Sequence, residues 1–177
     1  MDTELDLLFR YTEWLMQRAG AACGQLPAGV FTAPTVFPNG IPLGLGSLRD
    51  TLLHMAMIEQ RWVGVRLLGQ PYRPAKEAFP PANYPDVPSV LGVWRAGRQM
   101  AMDYLAGHAG ELDTPRPMTG IFGCASVQAT PRDLFTHALT HTVGHRSDLS
   151  SQFSFHGLEA PNFDYIVFVQ LITDEHR

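Results

Sequence analysis

The sequence predicts an all-α protein, a four-helix bundle with long crossover loops and a short fifth helix. Four segments place apolar residues at intervals of three and four, which is the spacing of one face of an α-helix. Stretches rich in Pro and Gly, which resist helix formation, separate these segments. With 177 residues the chain is long enough to bury a substantial core. We therefore predict a single domain over residues 1–177.

The first predicted helix ends near Gly20 to Gly24, and a largely apolar stripe defines it: Leu5, Leu8, Phe9, Thr12, Leu15, Met16 and Ala19. The segment 26–46 that follows is rich in Pro and Gly and is predicted to be an ordered loop draped over the bundle. Because it is long for a connection, it is a candidate for a binding or lid role.

The second predicted helix runs from about Leu48 to Leu68, and the pair Ser47 and Asp50 has the signature of its cap. His54 lies on one stripe of this helix. Glu59 and Trp62 are predicted to point away from His54 and to serve as core packing and a buried pair.

The remaining elements are predicted from helix-capping residues and from the Pro and Gly residues that interrupt helices. Residues 69–88 are Pro-rich, and Asp86 or Ser89 then begins a third helix that ends at about Ala106. Residues 107–129 are punctuated by glycine and predict a short hairpin or an extended crossover. Residues 162–173 fit either a helix or a strand, and Asn162 ahead of Asp164 favours the helix.

The fourth predicted helix spans Thr130 to Phe153 and carries three histidines at intervals of four residues, His137, His141 and His145. Neighbouring members of this series lie on one face, as the two metal ligands of an H-E-x-x-H motif do. The outer two are about 12 Å apart along the axis, so all three cannot bind one ion. The spacing leaves open which pair binds.

Composition excludes several classes of protein. The net charge is −4 with a pI near 5.9 and no basic run, so we expect no binding to nucleic acid. No apolar run approaches the length of a membrane span, and the acidic, amphipathic start does not resemble a signal peptide. Two cysteines, Cys23 and Cys124, are too few for a disulfide framework. A cytoplasmic location without membrane association is therefore expected.

Several of these segments together resemble the DinB/YfiT-like superfamily of metal-dependent proteins. They are LRDTLLHMAMIEQRWVGVRLLG around His54, HALTHTVGHRSDL, and the trailing Gly157 and Asp164, so the resemblance covers essentially the whole chain. It implies a bundle of up-down-down-up character. It also implies a metal ion held by one histidine of the second helix and an H-x3-H pair of the fourth.

Mapped onto this sequence, the resemblance assigns the metal ligands to His54, His141 and His145. His137 corresponds to an upstream histidine that is not usually a ligand. The family's common His-His-Arg-Gly-Gln is here the run from Gly144 to Asp148, GHRSD, so the ligand position is kept and the flanking signature is weakened.

Three neutral imidazoles leave an open position on a divalent ion such as Zn, Ni or Fe. Such an ion activates a water molecule or a low-molecular-weight thiol. Some superfamily members are thiol-dependent S-transferases or isomerases, so the resemblance implies a metal-dependent S-transferase or hydrolase acting on a small-molecule substrate, and a homodimer. Two alternatives remain: a non-catalytic, metal-binding stress-response bundle, and a purely structural bundle with a polar histidine core.

Three other polar or reactive residues are expected to have roles other than metal binding. Arg146 is expected to tie helices together or to contact a dimer partner. Asp148, three residues after His145, could orient that imidazole or bind a substrate cation, but the favoured interpretation is a solvated surface acid. Cys124 is expected to be a small buried hydrophobic residue rather than a reactive thiol.

Overall fold

The computed structural model describes residues 3–118 and 127–174, which form the predicted all-α bundle. Helices α1, α2, α4 and α5 pack against one another as its four main elements, and α6 continues the last of them. The helices are α1 (Thr3–Gly24), α2 (Leu48–Arg61), α3 (Ala75–Ala78), α4 (Val87–Gly107), α5 (Pro131–Gly144), α6 (Arg146–Phe155) and α7 (Tyr165–Asp174).

Side-chain caps set where three of these helices begin. The hydroxyl of Ser47 accepts a hydrogen bond from the backbone N–H of Asp50 at the start of α2. At the start of α4, the carboxylate of Asp86 accepts one from the backbone N–H of Ser89. Thr130 and Asp133 form a reciprocal capping box at the start of α5. The starts of α2, α4 and α5 therefore lie where the sequence predicted them.

The second helix differs from its prediction beyond Arg61. Trp62–Leu67 forms a π-helical turn, in which the backbone N–H of Leu68 reaches the carbonyl oxygen of Val63. Gly64 lies inside the turn, and its missing Cβ leaves room for the side chain of Gln70. Gln70 also donates its backbone N–H to the Gly64 carbonyl at 2.9 Å. This local contact closes the end of the π-helical turn.

The predicted fourth helix is not continuous, because it breaks at His145 into α5 and α6. His145 has a ψ of −3°, whereas an α-helix needs about −42°. Gly144, a poor helix former, immediately precedes the break. The prediction of one helix from Thr130 to Phe153 was wrong in this respect.

The two ambiguous segments are resolved by the structure. Strands β1 (Arg116–Met118) and β2 (Val127–Ala129) pair antiparallel, which confirms a hairpin-like pair within residues 107–129. Cys124 lies outside the described residues. The last segment is the helix α7, and an Asx turn precedes it in which Asn162 accepts from the backbone N–H of Asp164.

The core consists of two apolar clusters, and a buried ion pair lies between them. Arg98 on α4 donates from Nε and Nη2 to the two carboxylate oxygens of Glu59 on α2, at 2.8 and 2.6 Å. Its guanidinium covers Phe9 of one cluster and Trp94 of the other. The predicted buried pairing of Glu59 is thereby confirmed. Among the described residues, no helix combines the length and apolar character needed to cross a bilayer.

Candidate metal centre

Three histidines from two distant parts of the chain meet between α2 and α5. The Nε2 atoms of His54 and His141 are 2.8 Å apart, and those of His141 and His145 are 3.2 Å apart. The imidazole rings of His54 and His145 also approach, with centroids 4.7 Å apart. Each side chain is half-buried, so the cluster is neither sealed in the core nor fully in water.

This arrangement fits a single metal ion. One ring nitrogen from each of the three histidines lies within 4.8 Å of the others. Ligands about 2.0–2.1 Å from a tetrahedral ion are roughly 3.3 Å apart, which is close to the two Nε2–Nε2 distances of 2.8 and 3.2 Å. Nitrogen donors without carboxylates suit zinc, nickel or iron rather than magnesium or calcium.

Asp148 orients one of these imidazoles. Its carboxylate Oδ2 accepts a hydrogen bond from Nδ1 of His145 at 2.7 Å, across the first turn of α6. The proton on Nδ1 leaves Nε2 as the nitrogen with a free lone pair. Interpreting Asp148 as a solvated surface acid was therefore wrong.

The electrostatics favour neutral rings. Burial, reinforced by the neighbouring His145, His141 and Arg61, lowers the pKa of His54 to about 4. Burial is also the main cause that lowers the pKa of His141, followed by His145 and His137. Neutral imidazole is the form that binds a metal ion, so at neutral pH few protons compete for these two rings.

His137 and Trp62 form the wall next to the cluster rather than part of it. Their rings meet edge to face with centroids 4.3 Å apart. Trp62 is only half-buried and, like His137, lines a cavity together with His54 and His141. Assigning Trp62 to core packing was wrong, because eight residues of α-helix turn it only about 80° from His54.

Cavities approach the cluster from two sides, and His54 borders both. The first has a volume of about 220 Å³ and is lined by aromatic and basic residues of the π-helical turn and its surroundings. The second has a volume of about 570 Å³ and lies beneath the Pro- and Gly-rich loop. Its walls are mostly apolar and include Leu45, Leu53, Met57 and Phe79.

The loop of residues 26–46 is fixed to the helices that carry the cluster. The buried amide of Gln152 on α6 donates to Thr35 Oγ1 at 3.1 Å and to the carbonyl oxygen of Leu43 at 2.9 Å. Gly44 has a φ of +57°, and a Cβ there would lie 3.1 Å from the Cβ of Asp148. The predicted ordered loop is therefore part of the scaffold around Asp148.

These features coincide with a family match. The model of the DinB family matches residues 1–175 of the sequence. The chain belongs to the DinB family. A comparison with curated proteins finds no match for it.

Within this DinB protein, sequence reasoning placed His54, His141 and His145 together, and the structure brings them together while His137 lies outside the cluster. Arg146 donates to the Tyr11 hydroxyl at 3.1 Å, which confirms that it ties helices. Sequence reasoning gave the orienting role of Asp148 only as the less favoured alternative, and it placed Trp62 on the wrong side of its helix. The i+3 spacing from His145 was the available signal for Asp148.

Proposed function

We propose that this DinB protein binds a divalent metal ion, zinc, nickel or iron, through His54, His141 and His145. We propose further that it is an enzyme that activates a low-molecular-weight thiol or water for reaction with a small-molecule substrate. The observation that supports this most directly is the convergence of three Nε2 atoms from two chain segments. When bound, such an ion lowers the pKa of a water or thiol that reaches it.

The chain's own residues prepare this site. Burial keeps His54 and His141 neutral, so their lone pairs are available near pH 7. Asp148 holds the Nδ1 proton of His145 and thereby fixes which nitrogen faces the other two rings. The break between α5 and α6 places His145 at a helix junction, where Asp148 follows within one turn.

Two separate cavities support a reaction with two reactants. Each borders His54, so a thiol and a second substrate could approach the same centre from different sides. Within the described residues, no carboxylate other than Asp148 forms a hydrogen bond or ion pair with the three histidines. Asp148 is engaged with His145, and Asp50, which lines the second cavity with His54, forms an ion pair with Arg49 at 2.9 Å. Both carboxylates are therefore already held by other groups. This favours transfer to or from a thiol over hydrolysis.

The convergence of the three histidines also supports a second candidate function, a metal-binding bundle without catalysis. In that case the ion would stabilise the protein by joining α2 to α5, and no substrate would turn over. A homodimer is compatible with either function and is tested by light scattering during size-exclusion chromatography.

Elemental analysis of protein purified without a histidine tag tests the metal site. We expect about one divalent ion per chain, and we expect His141→Ala to lose it and to melt at a lower temperature. His137→Ala is the matched control, since it removes an imidazole one helical turn away and should retain the ion. Full metal occupancy in His141→Ala would refute the site.

A conjugation assay distinguishes the proposed enzyme from the non-catalytic metal-binding bundle. The metal-loaded protein is mixed with 1-chloro-2,4-dinitrobenzene and, in turn, glutathione, bacillithiol and mycothiol. Conjugation that depends on the metal and is lost in His141→Ala supports the enzyme. A protein that holds its metal but accelerates no conjugation or hydrolysis supports the non-catalytic bundle.

A further inference from the structure

The smaller cavity beside the candidate metal centre is lined by positively charged side chains without negatively charged ones. His54 and His141 line it, and its lining also contains the two arginines Arg61 and Arg66 but no aspartate or glutamate. A divalent ion held by neutral histidines would add further positive charge beside His54 and His141. Coulombic attraction therefore favours an anionic occupant, and the partly closed walls screen this attraction less than open water does.

Arg61 is the cation best placed to bind such an occupant. It lies seven residues after His54, on the same face of α2, about 10 Å further along the axis. Its guanidinium lies 5.4 Å from the ring centre of Tyr72 and donates to the carbonyl oxygen of Arg73 across 3.5 Å. In the part of the chain that the structure describes, Arg61 forms no ion pair, so most of its donors are available.

The other walls indicate what the rest of the occupant looks like. Ile58 lies between His54 and Arg61 along the helix, and the rings of Trp62 and Tyr72 line the same cavity. These surfaces suit a short apolar or flat segment. A volume of about 220 Å³ limits the occupant to a small molecule rather than a peptide or a nucleotide.

We propose that Arg61 selects substrates that carry a carboxylate, at the end of the molecule remote from its reacting atom. This proposal rests on the proposed metal-dependent function. The planar guanidinium offers two parallel donors that match the two oxygens of a carboxylate. Arg61 acts on specificity, since it holds the far end of the substrate while the histidines face the near end.

The test uses zinc-loaded, full-length protein and two matched probes, 6-mercaptohexanoate and 6-mercaptohexanol, with dissociation constants measured by calorimetry. The thiol end is the same in both probes, so a difference in affinity reports the far end. We expect the acid to bind the wild-type protein roughly tenfold or more tightly than the alcohol, as a charged hydrogen-bonded pair allows. In Arg61→Gln this preference should disappear, while the affinity for the alcohol and the zinc content stay unchanged.

Two further variants sharpen the result. Arg95→Gln removes the same charge from an exposed position on α4 and should keep the full preference. Arg61→Lys keeps the charge without the planar fork and should reduce the preference at least about threefold; it decides the question if Arg61→Gln fails to fold. Equal affinities for the two probes in the wild type, a preference that survives in Arg61→Gln, or binding of neither probe would each overturn the proposal.

A parallel titration without metal separates this proposal from the proposed function. Protein treated with chelator is titrated with 3-phenylpropionate and with 3-phenylpropanol. If the chain fails to bind zinc, the metal-dependent function fails. An Arg61-dependent preference for phenylpropionate would then still support the anion site, and its absence would overturn that site independently.

Discussion

Replacing Arg98 with methionine removes the cation from the ion pair that joins the two apolar clusters. In the wild-type protein all three guanidinium nitrogens of Arg98 donate hydrogen bonds. Two bind the carboxylate of Glu59, Nη1 donates to the carbonyl oxygen of Phe9 at 2.9 Å, and Nη2 also donates to Thr12 Oγ1 at 2.9 Å. Methionine is similar in length and apolar, so the substitution deletes the charge and these bonds while filling much of the space.

The expected loss of stability follows from the carboxylate that remains buried after the substitution. Glu59 is only 2% exposed, so Arg98→Met leaves its carboxylate buried without its partner. Removing one member of a buried pair typically costs about 3–5 kcal/mol. For a domain of this size each kcal/mol lowers the melting temperature by about 2–4 °C, which predicts a decrease of roughly 6–20 °C. The double variant Glu59→Met/Arg98→Met should be less destabilised than the sum of the two single variants, because it removes both charges.

Urea unfolding of all four proteins, followed by circular dichroism in the presence of a chelator, measures this cycle without a contribution from bound metal. Arg95→Met on the exposed side of α4 is the control and should change the free energy of unfolding by less than about 0.5 kcal/mol. If Arg98→Met lies within 1 kcal/mol of the wild type, or if the two substitutions are additive, the buried pair does not hold the clusters together as argued.

Three further predictions concern the site and its helix. Asp148→Asn should weaken metal binding about 10- to 100-fold, measured by competition with a chromophoric chelator, because His145 loses the carboxylate that orients it. Gly44→Ala should weaken metal binding as well and lower the melting temperature, since the added methyl group would crowd Asp148 at 3.1 Å and a φ of +57° disfavours alanine; unchanged values would show that the loop does not support the site. Hydrogen bonds from Thr130 lower the pKa of Asp133, so Asp133→Asn should destabilise the protein above about pH 4. That difference should vanish as the pH falls through the lowered pKa, because the wild-type carboxylate is then protonated; urea unfolding at several pH values checks it.

The sequence predicted well those features that depend on neighbouring residues. The caps at Ser47 and Thr130 act within one turn, so their residue types alone indicate where α2 and α5 begin. The two neighbouring histidines His141 and His145 could be placed on one side of their helix for the same reason. The break of the helix at His145 escaped prediction, because it leaves the four-residue spacing of the two histidines intact.

Features that depend on distant contacts could not be derived in this way. His54 is 87 residues from His141, and nothing in the local spacing of either brings their rings together. Only the resemblance to a family indicated this pairing. The role of Asp148 depends on the side-chain conformation it adopts beside His145. The position of Trp62, by contrast, follows from its spacing of eight residues after His54 and could have been predicted.

The number of residues in the π-helical turn Trp62–Leu67 determines which side chains line the smaller cavity. In this turn a backbone N–H reaches the fifth preceding carbonyl oxygen instead of the fourth, so the turn accommodates one residue more than a regular α-helix would. Arg66 lies within the turn and lines the same cavity as Arg61 and Trp62. Deleting one residue of the turn would therefore exchange several of the side chains that face this cavity at once, whereas a substitution there changes one.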